Sequence, residues 1–266
     1  MPNNCLCWVI SLNPKAENTE KLIKDLHAQG INAEVFPAID GRGNAPVLEG
    51  GERLRNSLAM VRHGKCLTGS ELGCYLSHLR AVKKAYAQGS EYVCLLEDDV
   101  IIEPKFAEVL HSLLSKQLDM VRLMSLRLRR RRVLEPLAEG HYLVRPDRGG
   151  LGTQSYLLNR LGMKKFIDHA EGIYEPIDKV FDHFFLFDLR VFSVEPHVAQ
   201  ELVHESSVAK LWSEPASDMK LWHRLAYHPV KLWFSLRRHV YRLRHRAEFA
   251  GAIMPDKHIG KTGRLR

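Results

Sequence analysis

Up to about residue 208 the apolar positions form short continuous runs that alternate with stretches of helical period. Residues 5–12 are an apolar run of strand length that Asn13-Pro14 breaks. Asn18 or Thr19 then caps a helical pattern through Leu22, Ile23 and Leu26, which Gly30 closes. Residues 33–36 predict a second short strand, ending in Pro37-Ala38-Ile39-Asp40-Gly41. Strand, helix, strand in that order opens a Rossmann-like parallel sheet. Residues 42–68, rich in Gly and Arg, read as an irregular surface connection.

Residues 70–87 predict a helix with Ser70 as N-cap and an apolar face of Leu72, Tyr75, Leu76, Leu79 and Val82; Gly89 stops it. A strand over 92–96, a helix from Pro104 to about 114 and a strand over 120–126 follow. The run Arg129-Arg130-Arg131-Arg132 reads as an exposed loop or hairpin tip. Strands are expected at 142–144, 155–158 and 190–194, and helices at 160–170 and 178–187. From 221 to 246 large apolar residues mix with Arg and His and are broken once by Pro229, the pattern of a basic amphipathic helix pair. The expected division is a domain over 1–208 and a tail over 209–266.

The chemistry concentrates where the third predicted strand ends, at Glu97-Asp98-Asp99. Unpaired carboxylates repel one another and are costly to bury. Three in a row after an apolar strand point to a divalent cation, or else to a solvated acidic turn leading into Pro104. Their oxygens suit Mg²⁺ or Mn²⁺, and a cation there would stabilise the charge that grows on a departing diphosphate. On the helix that precedes this strand, Glu71, Ser77 and His78 are polar residues that face a ligand or, for His78, a hydrogen-bonded core. Gly73 inside that helix costs up to about 1 kcal/mol relative to Ala, which points to close approach of backbone or ligand. Gly149-Gly150-Leu151-Gly152-Thr153 offers backbone N–H groups to an anion or a sugar hydroxyl, though ordinary turns use glycine as freely. Asp178 and Asp182 share one helix face, either as a general base beside the site or as solvated acids at a helix start.

Composition narrows the class. At 266 residues, with 45% hydrophobic and 26% charged, the chain is long enough for one large domain or for one domain with an appendage. The net charge of +8 favours an anionic partner. Five scattered cysteines without a paired Cys-x-x-Cys spacing argue against a disulfide framework or structural zinc and for a reducing cytoplasm. No apolar stretch reaches transmembrane length, and the first residues lack the pattern of a signal peptide. The basic tail, with Trp and Leu beside Arg, suits an anionic membrane surface better than nucleic acid; a helix packed on the domain is the third option.

Taken together these segments resemble glycosyltransferase family 25, the bacterial lipooligosaccharide and lipopolysaccharide glycosyltransferases that include β-galactosyltransferases. The resemblance rests on Val9-Ile10-Ser11-Leu12, Phe36-Pro37-Ala38-Ile39-Asp40-Gly41-Arg42 and Gly69-Ser70-Glu71-Leu72-Gly73-Cys74-Tyr75-Leu76-Ser77-His78. It continues through Leu95-Leu96-Glu97-Asp98-Asp99-Val100, Gly152-Thr153-Gln154-Ser155-Tyr156, Pro176-Ile177-Asp178, and Pro196 with Gln200 and Ser206-Ser207. These motifs stand in the family's order over roughly residues 5–208. The segment after the first strand, Asn13 to Asn18, departs from the family's arginine-containing pattern, and the 127–132 basic segment is unusual.

The resemblance implies an α/β nucleotide-sugar-binding fold of the A type with a mostly parallel sheet flanked by helices. It implies inverting transfer of a hexose, usually galactose, from a UDP-sugar to the oligosaccharide of a lipid-linked acceptor. Asp99 is then the ligand of Mn²⁺ or Mg²⁺, with Glu97 and Asp98 beside the nucleotide-sugar. Ser11, Ala38 and Asp40 lie at the nucleotide end, Gly152 and Thr153 on the acceptor side, and Glu71, Ser77, His78 and Gln200 complete the substrate-binding set. Asp178 is the first choice of base and Asp182 the second. Such an enzyme would sit in the cytoplasm, peripheral to the inner membrane, with no nucleic-acid partner. The competing classes are a metal-dependent nucleotidyltransferase or phosphohydrolase, a basic nucleic-acid-binding protein, and an inactive scaffold.

Overall fold

A computed structural model describes residues 5–127, 129–138, 140–202 and 220–254. The chain opens with β1 (Cys5–Ser11), α1 (Glu17–Ala28) and β2 (Ala33–Pro37). β3 (Arg53–Leu54), α2 (Asn56–His63), α3 (Gly69–Ala87), β4 (Tyr92–Glu97), β5 (Val100–Ile102) and α4 (Phe106–Leu114) follow. Next come β6 (Met120–Arg122), β7 (Arg131–Pro136), β8 (Tyr142–Pro146), β9 (Ser155–Asn159), α5 (Arg160–Ala170) and β10 (Gly172–Ile173). α6 (Ile177–Asp182) runs through a 3-10 turn at Phe184–Leu186 into β11 (Val191–Glu195) and β12 (Ala199–Glu201). α7 (Leu221–Arg244) leads to a last 3-10 turn at Arg246–Phe249.

Eight strands form a mixed sheet in the order β2-β1-β4-β9-β6-β11-β8-β7. β1 pairs in parallel with β2 and β4, and β6 with β11. β9 and β8 are antiparallel to both of their neighbours, so six strands point one way and two the other. The parallel trio β2-β1-β4 is the Rossmann-like opening that the strand, helix, strand pattern predicts.

Apolar runs without alternation mean strands covered on both faces, and two cores result. Trp8, Ile10, Val93 and Leu95 face a core shared with α3, α5 and α6. Cys7, Val9, Cys94 and Leu96, the intervening residues, face a second core with Leu22 and Leu26 of α1 and Phe106 and Val109 of α4. Each such side chain contributes about 1.5–3 kcal/mol relative to exposure, so this two-sided burial fixes the register of the central strands.

Several boundaries differ from the sequence expectation. The N-cap of α1 is Ala16, which has no side-chain cap, and not Asn18 or Thr19. Thr19 is drawn inward instead, its Oγ1 lying 3.1 Å from Ser11 Oγ. α3 begins two residues before its expected start, with Thr68 and not Ser70 as cap; the reciprocal Thr68–Glu71 capping box satisfies two backbone donors at once. Residues 42–68 contain β3 and α2 where only a connection was expected. The arginine run is not wholly a loop: Arg131 and Arg132 enter β7, and Arg131 is buried with its Nε 3.4 Å from Glu195.

The expected helix pair is one continuous helix, α7, with Pro229 inside it. Pro229 and Leu225 are both exposed, and proline has no N–H to donate to the Leu225 carbonyl one turn before it. The helix also joins the core: Phe234, Tyr241 and Phe249 belong to the same cluster as Trp8 and Leu76. Arg145, fully buried, donates to Tyr241 Oη, and its Nε lies 2.8 Å from Glu248 Oε2. The expected boundary at 208/209 and the motif Ser206-Ser207 lie outside the described residues.

Candidate active site

Register places the carboxyl ends of β1, β2 and β4 side by side: Ser11 is opposite Pro37, and Ile10 opposite Glu97. This edge of an open α/β sheet is where ligands bind. Glu97 Oε1 accepts a 2.6 Å hydrogen bond from Thr153 Oγ1 and lies 3.5 Å from His78 Nε2. The other nitrogen of that ring, Nδ1, is 3.0 Å from Tyr156 Oη. Burial pushes the Glu97 carboxyl up, but His78 and Thr153 outweigh it and hold it below its ordinary value. Asp98 Oδ2 accepts from Ser11 Oγ at 2.5 Å, and its backbone oxygen accepts from Asn18 Nδ2 at 2.7 Å.

Asp99 differs from its two neighbours. Its Oδ1 is buried without a hydrogen-bond partner. Burial, followed by the charges of Glu97, Glu201 and Asp98, pushes its carboxyl up to about 8. Glu201 reaches this corner because β12 pairs with β5, setting Glu201 opposite Val100. A buried oxygen without a donor inside a cluster of acids is costly unless the group is protonated or meets a positive charge.

α3 forms the wall. A Cβ on Gly73 would sit 2.5 Å from the Ile39 carbonyl, so only glycine lets the helix touch the 38–41 corner. Ser77 Oγ accepts from Ile39 N at 2.8 Å, and Ala38 N donates to Ser11 O at 2.8 Å, which locks that corner against both elements. The Cys74 thiol is pushed well above its ordinary value by burial first, then by Glu97, Asp178, Asp99 and Glu71.

The two candidate bases part company. Asp182 Oδ1 accepts from Arg122 Nη2 at 2.8 Å and from Leu151 N at 3.2 Å. Arg122 Nη1 donates in turn to Leu151 O at 2.7 Å, so the pair braces the glycine loop. Asp178 accepts from the adjacent Lys179 N at 2.8 Å, and burial and then the charge of Asp182 raise its carboxyl. In the loop, Gly152 has φ +84°, and a Cβ there would meet Gln154 Oε1 at 2.3 Å.

The structure thus gathers Ser11, Ala38, Ser77, His78, Glu97, Asp98, Asp99 and Thr153 along one edge, with Gly152 in the adjoining loop that Asp182 braces and Asp178 one helical turn before Asp182. Three expected substrate contacts are engaged elsewhere. Glu71 closes the α3 capping box and lies 3.3 Å from Lys65. Asp40 is exposed, and its fork with Arg42 at 2.6 Å holds its carboxyl down at about 2. Gln200 donates to Glu103.

Residues 6–181 match the family described as "Glycosyltransferase family 25 (LPS biosynthesis protein)". The chain belongs to glycosyltransferase family 25. It is 28% identical to procollagen galactosyltransferase 1 of Danio rerio over 212 residues, covering 71% of this chain and 35% of that protein. A glycosyltransferase 25 family member of Aedes aegypti is 33% identical over 101 residues, 37% of this chain and 17% of the relative. The chain thus spans about a third or less of the length of these relatives. Among solved structures, a Drosophila β1,4-galactosyltransferase 7 in complex with manganese, UDP-Gal and xylobiose is similar with a TM-score of 0.41 and 10% identity. That match covers 83% of this chain and 79% of the other.

Several residues that shape this candidate site carry little signal of that role in the sequence: Asn18, Arg122, Tyr156 and Glu201. Tyr156 and Arg122 are register partners on β9 and β6. Tyr156 closes the 152–156 motif, but nothing in one sequence assigns it to His78. Arg122 offered one signal, a lone arginine inside an apolar strand run.

Proposed function

We propose that this chain is an inverting hexosyltransferase that moves galactose from a UDP-sugar to the oligosaccharide of a lipid-linked acceptor, lipooligosaccharide or lipopolysaccharide, on the cytoplasmic side of the inner membrane. The observation that carries the reading is Asp99, whose buried Oδ1 lacks a partner at the joint carboxyl end of three parallel strands. Family membership supports sugar transfer, and the galactosyltransferase relatives support galactose.

No three His, Cys, Asp or Glu side chains form a ready-made metal cage among the described residues. Asp99 nevertheless fits a hard cation that takes most of its ligands from diphosphate and water, the habit of Mg²⁺ and, with similar oxygen donors, Mn²⁺. Such a cation, when bound, would neutralise charge on the departing UDP. Ser11 and Asn18 hold Asp98, while Thr153 and His78 hold Glu97, so neither acid swings when a nucleotide-sugar enters. Asp178, with its raised carboxyl, takes the proton of the acceptor hydroxyl as that oxygen attacks the anomeric carbon from the face opposite UDP. Arg122 and Asp182 keep the glycine loop in place at the acceptor side.

The test is calorimetric titration of UDP, UDP-galactose and UDP-glucose, with and without Mn²⁺, into the wild type and Asp99→Asn. Metal-dependent UDP binding that weakens at least tenfold in the variant is expected, together with a preference for UDP-galactose. Folded wild type that binds no UDP under any metal condition would overturn the proposal. Turnover that released pyrophosphate or phosphate in place of UDP would replace it with phosphoryl chemistry at the same acids.

A further inference from the structure

α7 carries two apolar faces. One holds Phe234 and Tyr241 in the core. At 100° per residue the opposite side carries Trp222, Leu225, Leu232, Trp233, Leu236 and Leu243, which are between 48% and 69% exposed. A soluble helix docked on its own domain needs one apolar stripe; the second lies outside that packing. Arg224, Lys231 and Arg242 line one flank of the exposed stripe, and Arg237 and Arg244 the other. Some of this charge is engaged within the domain: Arg237 donates to Leu186 O at 2.8 Å, and Arg242 and Arg244 lie 4.0 and 3.9 Å from Asp147 and Asp188. Between 220 and 246 there are eight lysines and arginines and no aspartate or glutamate.

We infer that this face of α7 docks on the surface of an anionic lipid bilayer. Charge decides among the occupants. A second copy would set the five cations that flank the stripe against the same five. A polynucleotide would match the charge but leave exposed tryptophan and leucine uncovered. Lipid phosphates meet the cationic flanks while the boundary between headgroups and acyl chains takes the apolar stripe, the arrangement of interfacial helices. The docked face of α7 lies against α2 and the 184–186 turn that follows α6. The helix therefore ties the lipid surface to the turn that follows the element carrying Asp178.

The experiment is co-sedimentation of the full chain with 3:1 phosphatidylethanolamine:phosphatidylglycerol vesicles and, separately, with phosphatidylcholine vesicles. The variants are Leu232→Ser/Trp233→Ser/Leu236→Ser and Arg224→Gln/Lys231→Gln, each checked by thermal melting. Wild type should bind the anionic vesicles, at least tenfold more weakly on phosphatidylcholine. The stripe variant should lose at least tenfold and the charge variant several-fold. Absence of wild-type binding, or equal binding by the stripe variant, overturns the inference. So does a wild-type dimer that the stripe variant turns into a monomer, or binding to RNA but not to vesicles. Sedimentation does not require sugar transfer, so its failure is distinct from failure of the proposed activity.

Discussion

Two aspartates four residues apart have opposite surroundings. Asp182 neutralises Arg122, one of the most buried side chains of the protein, and holds the Leu151 backbone. Removing one partner of a buried pair leaves the other charge uncompensated. Asp182→Asn should therefore destabilise the fold by about 3 kcal/mol. Asp178 carries a charge that burial and Asp182 both disfavour. Its raised carboxyl favours the folded state at acid pH, and that contribution is lost as pH rises through the folded value. Asp178→Asn should then leave stability within about 1 kcal/mol at pH 5 and gain on wild type toward pH 8, while turnover falls about a hundredfold or more. Urea unfolding at both pH values beside a transfer assay checks the pair. A stable but inactive Asp182→Asn with an active Asp178→Asn would reverse the assignment of base and brace.

Among the elements, those with a sustained period were legible and the short ones were not. α1, α3, α4 and α5 follow from apolar spacing, since each buries one face of at least two turns. β3 and β10 have two residues each, and β5 and β12 three, too few for a period to register; they exist because distant segments pair. Glu97-Asp98-Asp99 was legible at the site because acids after an apolar strand conflict with burial. The Glu175 junction was not, since its partners lie 112 residues before it and 8 after it. Glu175 is fully buried between β10 and α6; its carboxylate accepts from His183 at 2.8 Å, with His63 of α2 at 3.4 Å. Burial alone would push the carboxyl up, but the two histidines outweigh it and hold it down at about 2. A depressed carboxyl contributes stability above its unfolded value, and that is lost as pH falls toward the folded one. Glu175→Gln should cost on the order of 3 kcal/mol at pH 7, with the gap to wild type closing between about pH 4.5 and 2. Thermal melts across that range decide it: a gap that stays constant with pH would mean that the carboxylate charge contributes nothing to the α2–α6 junction.

For the whole molecule, the composition change after residue 208 marks a basic stretch with large apolar residues, yet periodicity could not say that α7 has two apolar faces and that the domain uses one. That depends on partners a single sequence does not reveal: Arg62 stacks 3.8 Å above the Phe234 ring, and His245 lies 2.7 Å from Asp188. Deleting residues 220–266 is consequently a poor way to test membrane contact, because it also opens the core. Truncation would strip the Arg145 guanidinium on β8 of Tyr241 and Glu248, and would bare Phe184 and Phe185. Each large apolar side chain taken out of the core costs about 1.5–3 kcal/mol. At about 2–4 °C per kcal/mol for a domain of this size, the truncated protein should melt at least about 10 °C lower and lose solubility. The full chain should unfold in one calorimetric transition, with the stripe variant within about 2 °C of wild type because its residues touch water and not the core. Two separate transitions in the full chain, or a truncated chain that melts like wild type, would mean that α7 is an independent appendage. The burial of Phe234 and Tyr241 in the same cluster as Leu76 argues for one cooperative unit.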